Sequence, residues 1–524
     1  MQITLRKLTV AWPLVIFLLL PALTRAETAV QAWVQRYSAA VTVSDYLITK
    51  ALVVLVDSSN SVIVTGYSPG NGSFYDYLTI KYSSAGVPLW TNRYNGTGNG
   101  DDFVIAAAVD GSNNVIVTGE SVGNGGSYDY ATIKYSSAGV PLWTNRYNGT
   151  GNSVDFANAV TVDGSNNVIV TGSGNSFTTY ATIKYSSEGL PLWTNLYTGS
   201  SRTAAMAMAT DGSNNVIVTG YSTGSARNSD YVTIKYSGSG APLWTNRYDG
   251  PGKTNDTASA VAVDRNDNVF VTGYSTGSGS GYDYATIKYS SAGEPLWTNR
   301  YNGPGNGDDY AYAIAVDSGN DVIVTGDSLG AGSAHDYATI KYSGAGVPLW
   351  TNRYNGPWNG GDAAQAMALD GNNNVIVTGQ SCGSGSSYDY ATIKYSSAGV
   401  PLWTNRYNGS GNGNDYARGV AVDGRGNVIV VGYSTGSGSE YDFATVKYIC
   451  GSWPVMTSLQ LTNGTFLIRV DDVSQPGTLV VEASTDLAAW APIFTNTTPT
   501  NVLLYADPAA VNTDTRFYRA FQFP

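Results

Sequence analysis

Cysteine and histidine are nearly missing from this chain. Among 524 residues there are two cysteines, Cys382 and Cys450, and one histidine, His335. Two thiols cannot supply the disulfide framework of a small secreted scaffold, so stability must come from a packed core. A single imidazole has no second one with which to share a metal. Basic residues are scarce too: 28 Lys and Arg face 39 Asp and Glu, for a formal charge of -11. Without Arg6, Lys7 and Arg25 the figure falls to -14, and fifteen of the remaining basic residues occupy two recurring positions, leaving no basic patch. That argues against nucleic acid and anionic membrane as partners. Beyond the first residues there is no long apolar run, so no transmembrane span is expected in the mature chain.

The one apolar run, Val10 to Leu20, follows Arg6 and Lys7 and leads to a short tail ending at Ala26. It is about half the ~20 residues needed to cross a bilayer, and its layout is that of a signal peptide. Residues 1–26 are therefore expected to direct export and to be removed, leaving a protein that is secreted or at the cell surface.

What the chain has in abundance is repetition. The segment YDYATIKYSSAGVPLWTNRYNG stands unchanged at 128–149 and at 388–409. Aligned on Lys81, Lys134, Lys184, Lys235, Lys288, Lys341, Lys394 and Lys447, the units are spaced by 53, 50, 51, 53, 53, 53 and 53 residues. The period is too long for helical hairpin repeats and suits a propeller blade. Within it, four β-rich runs are predicted, at Ile105 to Asp110, Asn114 to Gly119, Tyr128 to Tyr135 and Leu142 to Tyr147, with Asp-Gly-Ser-Asn-Asn turning the first into the second. The continuous apolar runs demand cover on both faces of each sheet, which radial stacking provides. The Ala-rich run (Ala106, Ala107, Ala108) suits a crowded axis and is placed innermost, and the run with Trp143 and Tyr147 outermost.

The ends predict how the ring closes. The last unit lacks a fourth strand, since after Tyr448 the chain reads ICGSWPVM, whereas the N-terminal segment carries a stray outer strand, Trp33 to Tyr37 (WVQRY). This strand is expected to complete the eighth blade. The predicted fold is all-β: an eight-bladed propeller over 27–450, followed by a small β-sandwich-like module over 451–524 with strands near Leu459 to Leu461, Phe466 to Val470, Leu479 to Ala483, Val502 to Tyr505 and Phe517 to Phe521.

The pattern AVDxxxNVIVTG followed by DYATIKYSSAGxPLW resembles the bacterial SBBP-type β-propeller repeat of extracellular proteins, over residues 33–450. The resemblance implies a secreted or surface propeller and brings no catalytic residues. The strings EASTDLAAW, DPAA and RFYRA resemble a C-terminal module of other secreted bacterial proteins, which implies sorting or surface attachment.

Candidate site residues fall into few classes. Six units carry an Asp eight residues before the inner-strand Asp: Asp102, Asp155, Asp256, Asp309, Asp362 and Asp415, with Thr49 and Thr203 in the other two. Ringing one mouth of the channel, these oxygens could hold a hard cation such as calcium. The plainer role is to cap their own loops by accepting backbone N–H bonds. No cofactor is called for, and the DxDxDG calcium loop is absent. A second set, Asp76, Asp129, Asp230, Asp283, Asp336, Asp389 and Asp442, is expected to form ion pairs from blade to blade. Every recurring carboxylate has near-copies around the ring, which speaks against a single catalytic centre. His335 lies in a Gly-Ser-Ala loop.

Gly139 and Trp143, four apart and repeated around eight blades, are similar to the tryptophan-docking repeat of quinoprotein dehydrogenases. Ile133 and Tyr135 depart from that pattern, adjacent cysteines are lacking, and blade packing explains the spacing as well. The variable Gly- and Ser-rich loops on one face favour ligand binding, and Trp358, in NGPWNGGD, could stack on a sugar or pack its own loop. The functional expectation is a non-enzymatic extracellular recognition or adhesion propeller for glycan or protein. A structural envelope protein and a propeller enzyme are the alternatives. Cys382 and Cys450 are expected at opposite faces and unbridged.

Overall fold

The computed structural model describes residues 27–38, 49–70, 75–224, 228–383, 387–436, 441–451, 455–462, 465–471, 478–484, 491–496, 502–507 and 517–523. The expected signal peptide lies outside them. No helix occurs among the described residues, and the chain divides into one unit of Gln31–Ile449 and another that includes Cys450–Pro524.

Eight four-stranded antiparallel sheets make the first unit, seven of them simple meanders. Blade two is typical, with strands Asp102–Val109, Val115–Val122, Tyr128–Tyr135 and Pro141–Tyr147. The first strands of neighbouring blades adjoin one another, which puts the Ala-rich strand at the axis and the Trp strand at the rim. Blade eight takes Asp415–Val422, Val428–Thr435 and Tyr441–Gly451 from the end of the ring and Thr28–Tyr37 from its beginning. The ring therefore closes by the strand that the sequence indicated.

The core lies between blades. Ile63 and Tyr77 of blade one pack with Val104, Val115, Val117, Ala131 and Ile133 of blade two, and the cluster repeats around the ring. Each fully buried Ile or Val is worth roughly 1.5–3 kcal/mol relative to exposure. The tyrosine in the cluster needs an acceptor, and finds one in the next sheet: Tyr130 Oη donates to Ala181 O at 3.1 Å. The same bond runs from Tyr77 to Ala131 and from Tyr390 to Ala444.

Two polar links join blades as well. Lys134, almost wholly enclosed, lies 2.8 Å from Asp110 Oδ2 in its own blade and donates to Ser187 O in the next at 3.1 Å. Trp90 lies over Gly139 of the following blade, whose φ is 84° and where an added Cβ would come within 2.7 Å of the indole. Trp90 Nε1 also donates to Ser137 O, and Asn92 Nδ2 to Gly139 O. The Gly-Trp recurrence is thus a contact between successive blades, since Gly139 seats Trp90 rather than Trp143. At the closure Trp33 takes Gly86 and Ser84 O in the same way.

The second set of acids departs from expectation. Asp129 pairs within its own blade, with Arg146 at 2.9 Å, because the third and fourth strands are adjacent and the long guanidinium reaches diagonally across them. The link to the preceding blade is carried instead by Arg146 Nη1 donating to Tyr94 Oη at 3.2 Å. Blade three lacks both partners together, with Thr179 and Leu196 in their places.

The second unit has two three-stranded sheets, one of Val455–Thr462, Thr465–Asp471 and Val502–Asp507, the other of Ala491–Asn496, Thr478–Ser484 and Phe517–Phe523. Ile468 and Val470 of the first share an apolar cluster with Leu479, Val481 and Ala483 of the second, as in a small sandwich. Ala491–Asn496 was not among the expected strands: Pro492 obscures it, and it lies at a sheet edge, where proline is tolerated.

Candidate binding site at the channel mouth

The six aspartates first considered as cation ligands open the inner strands, and each is enclosed. Asp415 shows why: Oδ2 accepts Gly409 N at 2.7 Å and Oδ1 accepts Thr435 N at 3.0 Å, so the carboxylate staples the entering loop to the end of the second strand. Asp155, Asp256, Asp309 and Asp362 do the same, and Asp102 accepts Gly96 N at 2.6 Å. This is the loop capping that the sequence suggested as the plainer role, and it occupies the oxygens that a cation would need. Burial raises all six, and it carries Asp102 to about 6 against the opposing bonds from Gly96 and Ser121.

One trio among the described residues brings carboxylates together: Asp230, Asp249 and Asp256 each place an oxygen within 4.8 Å of the others. Arg247, 2.7 Å from Asp230, and Lys253, 3.0 Å from Asp249, already supply two positive charges there.

Asymmetry is concentrated elsewhere. The residue after each staple aspartate or its threonine counterpart faces a residue of the second strand, giving the pairs Lys50 and Tyr67, Phe103 and Glu120, Phe156 and Ser173, Ala204 and Tyr221, Thr257 and Tyr274, Tyr310 and Asp327, Ala363 and Gln380, and Tyr416 and Tyr433. Two residues further along, every inner strand carries a β-bulge, whose extra residue is Ile105, Asn158, Tyr312 or Arg418 in different blades. A bulge re-aims a side chain without disturbing the ladder on either side. In a ring of near-identical units, these pairs and the bulge residues differ from blade to blade.

The pairs build arcs of aromatic rings at the loop-bearing end of the channel. Tyr67 and Phe103 meet at 4.8 Å, Tyr128 and Phe156 at 5.8 Å, and Phe156 stacks on Phe177 at 5.0 Å. Across the ring Tyr274 contacts Tyr282 and Tyr310, both at 5.1 Å. A third arc joins Tyr388, Tyr416 and Tyr433, with Lys50 Nζ 5.1 Å from the Tyr433 ring centre.

Polar groups stand among the rings. His335 stacks on Tyr310, and its Nδ1 lies 2.6 Å from Asp327 Oδ2. Burial holds the Asp327 carboxyl above its ordinary range although Tyr312 and His335 pull it down, and burial beside Asp327 drives the Tyr312 hydroxyl far up. Burial, with Asp101 nearby, takes Glu120 to about 7. Such groups can donate and accept hydrogen bonds, and Glu120 can keep its proton near neutrality.

Between the first two arcs lies a cavity of about 1010 Å³, lined by Phe177, Arg202, Tyr221, Asn255, Tyr274 and Tyr282 among others. Trp358 is 59% exposed in the loop entering the inner strand of blade seven, on the same face of the ring, and is not a lining residue of this cavity. Of the candidates read from sequence, then, His335 belongs to the mouth, the six aspartates brace its loops, and Trp358 stands outside the cavity. Cys382 is the last residue of its strand rather than a loop residue, and no disulfide joins it to Cys450. Tyr274, Tyr310, Tyr312, Asp327 and Arg202 were missed, although a column-by-column comparison of the repeats for positions that fail to repeat would have found several of them.

Residues 250–279, spanning the entering loop and first two strands of blade five, match the SBBP family model, described as a beta-propeller repeat. No curated protein matches the chain by sequence. Among solved structures it is similar to a eukaryotic initiation factor (TM-score 0.36, 8% identity, 70% of this chain and 96% of that one). It is also similar to Drosophila Plexin A in complex with Semaphorin 1b (0.38, 8%, 77% and 87%) and to polysaccharide lyase Uly1 (0.39, 12%, 76% and 89%). Likenesses this distant decide nothing about activity. The chain is an eight-bladed β-propeller, and the SBBP match falls on one of its blades.

Proposed function

We propose that this propeller is an extracellular recognition module that binds glycan, without turnover, at the loop-bearing mouth of its channel. One observation carries the reading: the residues that break the repeat gather at the mouth, as aromatic rings interspersed with hydroxyl, amide and carboxylate groups beside a cavity. Apolar ring faces with convergent polar groups suit a sugar, which offers C–H faces and hydroxyl edges together. The rigid blades hold these side chains in place before the ligand arrives, which limits the ordering cost of binding.

A glycan array probed with the protein lacking residues 1–26 tests this. Specific hits weakened at least about 10-fold by Tyr274→Ala, equivalent to about 1.4 kcal/mol, are the expected result. An array without hits, or hits indifferent to Tyr274, would remove the reading.

A further inference from the structure

The cavity at the mouth lies where two successive blades lack a ring. Four blades place Phe103, Phe156, Tyr310 or Tyr416 directly after the staple residue; blades one and seven, on either side of Tyr416, place Lys50 and Ala363, whereas the adjoining blades four and five place Ala204 and Thr257. The space is flanked by Phe177 from blade three and by Tyr274 and Tyr282 from blade five.

Arg202 gives this space a charge. It precedes Thr203, which stands where six blades have the buried staple aspartate, so blade four loses a carboxylate and gains a guanidinium at adjacent positions. Blade one makes the same exchange with Thr49 and Lys50, but there the cation is seated over Tyr433. The recurring arginines are engaged too: Arg146, Arg247, Arg300, Arg353 and Arg406 each pair with an aspartate within 3 Å. Arg202 is exposed, lines the cavity, and has no ion pair or side-chain hydrogen bond among the described residues. The acids beside the lining are already satisfied, Asp230 by Arg247 and Asp256 by the amides of Gly250 and Thr276.

We infer that the cavity takes an anionic glycan, with the carboxylate of a uronate residue held by Arg202 and the pyranose ring against Tyr274 or Phe177. The inference rests on the glycan-binding reading and names the class of sugar. A guanidinium presents parallel N–H donors that match the two oxygens of a carboxylate, a geometry that a lysine ammonium cannot copy. The acidic surface as a whole opposes an anionic ligand, but that field is screened over about 8 Å at physiological ionic strength. The local exchange of carboxylate for guanidinium acts within contact distance.

The test is calorimetric titration of the propeller with three hexasaccharides: a galacturonate oligomer, neutral cellohexaose and a heparin-derived sulfated oligomer. The uronate oligomer is expected to bind at least about 10-fold more tightly than the neutral one. Arg202→Gln is expected to weaken it about 10- to 100-fold, the range set by charge-assisted hydrogen bonds, and to weaken the neutral oligomer much less. Arg202→Lys should recover only part of the loss, and Tyr274→Ala should weaken both ligands. Equal affinity for neutral and uronate oligomers, or indifference to Arg202→Gln, overturns the inference while glycan recognition stands. A sulfated oligomer preferred in an Arg202-dependent way overturns the carboxylate assignment. Failure of all three to bind removes the inference, and an empty array alongside it removes the glycan reading as well. Arg202 is exposed, so unchanged far-UV circular dichroism should accompany each variant.

Discussion

Arg36, in the first strand of the ring, places Nη2 2.8 Å from Oδ2 of Asp442, in the strand that ends it. The same guanidinium donates to Ser434 Oγ, to Ser434 O and to Tyr407 Oη, so it ties the closing strand to two further strands of blade eight and seven. Arg36→Ala leaves the buried Asp442 without its cation and should lower stability by about 2 kcal/mol. Limited proteolysis should then cut first at the closing strand and blade eight. Cleavage elsewhere, or a melting temperature equal to the parent's, would contradict this account of closure.

Lys134 poses a sharper case, because it and Asp110 are both nearly free of solvent. Lys134→Met strands a buried carboxylate and is expected to cost about 3 kcal/mol. Adding Asp110→Asn should return part of the loss, and a thermodynamic cycle over the two variants reads the coupling directly. Independent, additive effects would show that the pair is not the unit of stabilisation.

Two sets of carboxylates respond to pH in opposite senses. Burial alone would raise Asp110, Asp163, Asp211, Asp370 and Asp423, but the buried lysine, the neighbouring asparagine and turn amides outweigh it and hold them below the ordinary range. Their contribution is present above about pH 4, the unfolded carboxylate value, and is lost as pH falls through the depressed folded values. Burial raises Asp102 to about 6 and Glu120 to about 7, and raises the other five staple aspartates as well. That contribution is complete below about pH 4 and disappears as pH rises through the folded values. The melting temperature should therefore peak between about pH 4 and about pH 6. A scan from about pH 3 to about pH 8 checks it, and stability that climbs steadily to neutrality would refute the assignment.

Gly139 combines a positive φ with an indole against its α-carbon. Gly139→Ala strains the backbone by about 1 kcal/mol and pushes Trp90 out of its seat, for a total of about 2 kcal/mol or more. A red shift of tryptophan emission should accompany the loss of stability. Gly126, also at positive φ but with open space around it, is the control in which only the backbone cost should register.

Much of this fold is legible in the sequence because one pattern is stated eight times. The period, the strand order and the closing role of Trp33 to Tyr37 follow from apolar runs and turn residues, which local chemistry dictates. Asp129 was harder: its spacing to Lys134 suggested pairing between blades, and only the register of adjacent strands reveals Arg146 as its partner. The mouth was hardest. Tyr310, Asp327 and His335 lie on three successive strands and meet because those strands pair, with His335 opening the third strand rather than lying in the Gly-Ser-Ala loop where the sequence put it. The Ala204 and Thr257 cavity is a matter of volume removed, which no motif encodes.

The closing strand keeps the repeat's Trp, Arg and Tyr as Trp33, Arg36 and Tyr37, yet its sequence, TAVQAWVQRY, is otherwise unlike the PLWTNRY of the other fourth strands. Those seven carry near-interchangeable sticky ends, and six of them read PLWTNRY without a change. During folding, a fourth strand that strays onto a foreign meander would find almost the same partners waiting. Such trespass is discouraged chiefly by the short tether to its own third strand. The segment that must travel the whole circumference has no such tether, and it is the one that bears a distinct address.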